Sequence, residues 1–173
     1  MLMFIDTEFS DFENPSLISI ALVSVCGQHG FHADISDWNM RGSPASGFVK
    51  EHVLPHLNAP TDNVSTAYYI AHQLYDFITN IDEEVIIAAD YYADWTLLCN
   101  LFMNVEEWMP KNLKKRYINI WSVMSNPAFE EIELNFYNQP NRVHHNALDD
   151  AECNRLGWLA LDEIQKKEIL STI

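Results

Sequence analysis

The chain has 173 residues, nearly half of them hydrophobic (48%), with 5 glycines and 7 prolines. That composition supports one folded domain over residues 1–173 and excludes a disordered or low-complexity chain. Its 25 acidic against 10 basic residues, a net charge of −15, exclude a broad basic surface for gripping long nucleic acid, but not phosphate binding through divalent cations.

No run approaches the ~20 apolar residues that span a bilayer, and Met1–Ile5 has no basic region of the kind a secretory signal carries. Three widely spaced cysteines, Cys26, Cys99 and Cys153, form no CxxC pair. A reducing, cytoplasmic setting without membrane contact is expected.

Residues 2–6 (LMFID) predict a short buried strand ending in charge. Leu17–Val25 (LISIALVSV) is a second strand, and Cys26–Gly30 a hairpin turn into a third near Phe31–Ile35. Three strands on short turns predict an antiparallel meander. Over Ser65–Thr79, Ala67, Ile70, Ala71, Leu74, Phe77 and Ile78 recur at helical spacing, with Asp62 or Ser65 as cap. Val85–Ala89 (VIIAA) has the continuous apolar character of an interior strand. A helix over about Trp95–Met103, a short strand around Tyr117–Ile120, and a last helix from Ala147 to near the C-terminus complete the chain. Leu148, Ala151, Leu156, Leu159, Ala160 and Ile164 form the apolar side of that last helix. The order predicts an α/β fold, a mixed sheet flanked by helices.

Asp6-Thr7-Glu8 is the first chemical feature. Residues two apart on a strand share a face, so both carboxylates project together. Like charges so placed ask for a cation, and hard oxygen ligands suit Mg²⁺ or Mn²⁺. The second feature is His145-Asn146-Ala147-Leu148-Asp149-Asp150. Asn146 reads as a helix cap, with Asp149 completing a capping-box-like pair. Asp150 has no such local role and is the better ligand candidate. His145 is a candidate general base, while His144 reads as solvent-facing. The third is Asp90-Tyr91-Tyr92-Ala93-Asp94-Trp95, at the mouth of an interior strand. Asp90 and Asp94 both qualify there, and spacing does not separate them.

FIDTEF, ADYYADWTLLCNL and HHNALDDA resemble the three motifs of the DEDD exonuclease superfamily, in the branch that carries His-x-x-x-x-Asp. DTEF, LISIALV, HVLP (His52–Pro55) and the Asp94–Leu101 spacing are similar to small 3′–5′ exoribonucleases of the RNase AS type. The resemblance implies an RNase H-like fold, with antiparallel N-terminal strands followed by parallel ones. It implies hydrolysis of single-stranded RNA from its 3′ end, with release of nucleoside 5′-monophosphates. Asp6, Glu8 and Asp150 would hold two Mg²⁺ ions, or Mn²⁺ in their place. Asp94, rather than Asp90, would take the second-motif position and act mostly through water on the metals. His145 would be the base, and a homodimer is implied.

Thr7 and Phe9 flank the acids and are candidates for holding the terminal nucleotide, by backbone and by ring stacking. Lys111, Lys114, Lys115 and Arg116, or Arg142, are candidates for the phosphates upstream. The five tryptophans read as core or interface anchors. A DNA-directed exonuclease of the same fold is the alternative, because no residue type here reveals a contact to the 2′-hydroxyl. An inactive nucleic-acid-binding module is disfavoured, since every expected functional position is filled.

Overall fold

A computed structural model describes residues 1–40, 44–57, 63–105, 108–124 and 126–171. The sheet strands are β1 (Leu2–Phe9), β2 (Leu17–Ser24), β3 (Gly30–Ile35), β4 (Val64–Ser65), β5 (Val85–Ala89) and β6 (Leu113–Asn119), in spatial order β4-β3-β2-β1-β5-β6. The pairs β1/β2 and β2/β3 are antiparallel, while β1/β5, β5/β6 and β3/β4 are parallel. The expected meander and mixed sheet are therefore present.

Among the described residues, seven α-helices flank the sheet: α1 (Gly47–His52), α2 (Ala67–Thr79), α3 (Tyr92–Phe102), α4 (Trp121–Met124), α5 (Pro127–Tyr137), α6 (Ala147–Ala160) and α7 (Glu163–Leu170). Residues of α2 and α3 pack with Met3, Ile5, Ile20 and Ile87 on one face. On the other, Phe129 and Phe136 of α5 and Cys153 and Trp158 of α6 pack with Phe4, Ala88 and Ile118. Small residues set how close α6 approaches: Ala147 and Ala151 lie on Ala21 of β2, all fully buried. Ala21 is the register partner of Asp6. The first turn of α6 is thereby brought beside the acids of β1. No described helix is long and apolar enough to cross a membrane.

Several boundaries differ from expectation for identifiable reasons. β1 does not stop at Asp6, because β2 keeps pairing with it through Glu8 opposite Ser19, after which the register shifts. Both acids thus stand within a strand, just before an irregularity of the kind that re-aims the next side chains. The cap of α2 is neither expected residue: Asp62 lies outside the described residues and Ser65 belongs to β4. Thr66 occupies the N-cap position without a side-chain bond, and Asp37 accepts from the Ala67 N–H at 2.8 Å instead. The expected last helix is two, since Leu161 is extended and Asp162 opens α7 with a capping box to Gln165. Ala147, Ala151, Cys153, Gly157 and Trp158 form the buried side of α6, whereas Leu159, Ala160 and Ile164 are exposed. The sequence pattern had no counterpart for α1, α4 or α5.

Candidate active site

Asp6 and Glu8 project from β1 toward α6, since alternate residues share a face. Asp90 comes directly after the last residue of β5, and Asp94 stands in the first turn of α3. Asp150 stands in the first turn of α6, whose N-cap Asn146 accepts from the Asp149 N–H at 3.3 Å. His145 precedes that cap in the left-handed region, φ 62°, which a non-glycine residue adopts only at some cost. Its N–H donates to Asp150 Oδ2 at 3.1 Å.

These six residues line one cleft of about 640 Å³, together with Phe9, Phe12, Phe48, Tyr91 and Trp121. Ligand atoms of Glu8, His145 and Asp150 lie within 4.8 Å of one another, and so do those of Asp6, Asp90 and Asp94. No Lys or Arg is among the described lining residues.

The electrostatics result from that placement. Burial pushes Glu8 up to about 8, with the charges of Asp150 and Asp94 adding to it. Asp94 and Asp150 each rise to about 7, again by burial first. Asp90 is also raised, mainly by burial. Asp6, partly open to the cleft, is raised well above the usual carboxylate range by desolvation and then by Asp150, Asp94, Glu8 and Asp90 in turn. Asp90 Oδ1 and Asp94 Oδ2 are buried with no hydrogen-bond partner. Buried charge of one sign with orphaned oxygens is costly unless a cation is shared among the ligands. An all-carboxylate donor set suits a hard divalent ion.

His145 is shifted the other way. Burial, then the neighbouring His144, His52 and His56, lower it below the ordinary histidine value, so the ring is neutral at pH 7 and able to accept a proton. The Phe48 ring meets it edge-on at 4.8 Å. His144 is exposed, as expected, yet stacks on Tyr137 with centroids 3.5 Å apart.

Other expected contacts are placed differently. Thr7 spends both its donors on Asp94 Oδ1, the N–H at 3.1 Å and Oγ1 at 2.6 Å. It orients that acid, so its backbone N–H is not free for a nucleotide. Arg142 does not line the cleft: it pairs with Asp149 at 2.6 Å and lies over the Phe136 ring. Asp149 also accepts from the Val143 N–H at 2.8 Å. It therefore braces the loop before α6. Trp121, expected in a core or interface, is 60% exposed in the cleft wall. Tyr137, which the sequence did not single out, donates its hydroxyl to Asp150 Oδ1. Phe12, Phe48 and Tyr91 were likewise not singled out. An exposed aromatic carries no periodic signal that separates a binding wall from a core face.

No protein-family model matches the chain, and no curated protein sequence does either. Solved structures match it by shape. One is the nuclease domain of 3′hExo, a DEDDh family member, bound to rAMP, with TM-score 0.61, 14% identity, and 95% of this chain and 92% of that one covered. Another is Pop2p of S. pombe in a form with Mg²⁺ and Mn²⁺ bound, with TM-score 0.59, 12% identity and coverage of 91% and 81%. The mixed sheet flanked by helices is thus the RNase H-like fold of those proteins.

Proposed function

We propose that residues 1–173 form a single metal-dependent 3′–5′ exoribonuclease domain. It would shorten single-stranded RNA from the 3′ end and release nucleoside 5′-monophosphates. The observation that carries this reading is the convergence of five carboxylates, Glu8 and Asp94 buried and Asp6, Asp90 and Asp150 half-buried, with no basic side chain among the described lining residues, beside a neutral histidine. The rAMP on one protein of similar fold and the Mg²⁺ and Mn²⁺ on another support the same reading.

Asp6, Glu8, Asp94 and Asp150 would hold the metal ions, and the orphaned oxygens of Asp94 and Asp90 fit that demand. When bound, such ions supply Lewis-acid stabilisation of charge on the attacking and leaving oxygens. The rest falls to the chain itself. The neutral His145 ring takes the proton from the attacking water. Tyr137 and the His145 N–H fix the two oxygens of Asp150, and Thr7 fixes Asp94. Phe9 and Phe12, edge to face at 5.2 Å, with Tyr91, Phe48 and Trp121, offer ring faces to the terminal base. Stacking of this kind is worth about 1–3 kcal/mol per base.

End-labelled single-stranded RNA and DNA, incubated with Mg²⁺, Mn²⁺ or chelator, test the proposal. Stepwise shortening of RNA from the 3′ end is expected, lost with chelator and in Asp6→Asn. Internal cleavage products, or turnover indifferent to chelator, would refute it. Faster shortening of DNA would select the DNA-directed alternative.

A further inference from the structure

Four of the ten basic residues fall within Lys111–Arg116, on and just before β6, the edge strand of the sheet. β6 runs parallel to β5 with Asn119 opposite Ala89. Its C-terminal end therefore opens beside Asp90, and the chain continues into Trp121 of the cleft wall. Tyr117 and Asn119 share one face of β6 by strand alternation, and Lys115 and Arg116 lie just before them, in the stretch where the register with β5 shifts. The Tyr117 ring stacks on Trp95, 5.9 Å between centroids, and lies 6.4 Å from that of Tyr92. Both partners belong to α3, the helix that carries Asp94. Tyr92 is 64% exposed.

Three of the four positive charges on this strip have no ion pair among the described residues. Lys114 pairs with Glu84 at 3.4 Å. Lys111, Lys115 and Arg116 are exposed, and none meets an acid among the described residues. Elsewhere Arg142, Arg155 and Lys166 are each bound to a carboxylate, while Lys50 and Lys167 stand singly, away from any second basic residue without an acid partner among the described residues. In a chain of net charge −15, free positive charge is gathered along a row of rings leading away from an acid-lined cleft. Lysines also guard edge strands against pairing with other chains. That role needs charge of either sign, and it needs no adjoining aromatic row.

We infer that this strip of β6 and α3 is the track for single-stranded RNA upstream of the nucleotide being removed. Lys115, Arg116 and Lys111 contact its phosphates, and Tyr92 and Tyr117 contact its bases. The inference rests on the proposed function for its direction, from the cleft outward.

The test is the charge swap Lys115→Glu with Arg116→Glu, which leaves the edge charged. Lys166→Glu with Lys167→Glu on α7 makes the same change in net charge and serves as control. Binding of a labelled long single strand of RNA is read by fluorescence anisotropy over a salt series, with Asp6→Asn as the common background. The β6 swap weakens binding by about tenfold or more at low salt. It also flattens the dependence of log K on log salt by about 1.4, at 0.7 per lost phosphate contact; the α7 swap does neither. Tyr92→Ala weakens binding and leaves that slope in place. With Asp6 restored, hydrolysis of the long strand falls about tenfold further than hydrolysis of a dinucleotide.

An unchanged affinity and slope in the β6 swap would overturn the track and leave the lysines as edge guards. Equal losses on both substrate lengths would overturn it as well. A protein that hydrolyses neither length would instead refute the proposed function, and the anisotropy series would still decide the track.

Discussion

Stripping divalent cations sets the site against the fold, and the penalty grows with pH. Glu8 moves from 4.5 to about 8 on folding, and Asp94 and Asp150 move from 3.8 to about 7. The folded protein therefore retains protons that the unfolded chain has released. Stability is full below the ordinary carboxylate values, where both states are protonated. It declines as pH rises toward about 8, where the folded acids ionise as well. At about 1.4 kcal/mol for each tenfold change in proton affinity, Glu8 alone costs on the order of 5 kcal/mol at the alkaline end. A domain has about 5–15 kcal/mol in total. The acids titrate as one group, so their losses do not simply add. Urea unfolding in chelator across about pH 5 to 8 reads the slope directly. Mg²⁺ at a hundred times its dissociation constant restores about 2.7 kcal/mol, and Glu8→Gln flattens the slope while abolishing turnover. A stability that is flat with pH in chelator, or unmoved by Mg²⁺ near pH 8, would refute the argument.

Four further outcomes are expected. His145→Ala lowers kcat by roughly 10²–10⁴-fold with the fold intact by circular dichroism. In the wild type, the acidic limb of kcat/KM falls below the ordinary histidine value of 6.5, because the ring is held neutral. Tyr137→Phe keeps the stack on His144 but leaves Asp150 Oδ1 without its donor; a loss of about 1.5–3 kcal/mol, read as kcat rather than KM, is expected. Gly157→Ala destabilises by about 1–3 kcal/mol in thermal unfolding, because its Cβ would lie 2.3 Å from Cδ2 of the buried Phe129 ring.

The acids were legible before the fold was seen, since strand alternation alone paired Asp6 with Glu8. The cap at Asn146 singled out Asp150 by the same kind of local argument. Asp90 and Asp94 stayed unresolved because both truly face the cleft, one at the strand end and one in the next helical turn. Thr7 shows the limit of a local reading, as its partner lies 87 residues away. The Arg142–Asp149 pair was hidden for a related reason. Each had a plausible task by itself, and their pairing across the loop is visible only in three dimensions. The break at Leu161–Asp162 hid inside a run that reads as one helix, although Asp162 with Gln165 is a start signal at the level of sequence. α5 also begins with an ordinary signal, Asn126 capping and Pro127 in the first turn.

The approach of α6 to β2 through Ala21, Ala147 and Ala151 has a consequence for how the site can change over generations. Three methyl groups set the height of Asp150 above the sheet, while Asp94 hangs from α3 on the opposite face. A larger side chain at any of the three alanines would lift one half of the acid cluster and leave the other where it is. Substitutions there would retune the spacing between the two halves without touching a single acid, which makes the alanines the adjusting screw of the site and its least forgiving positions.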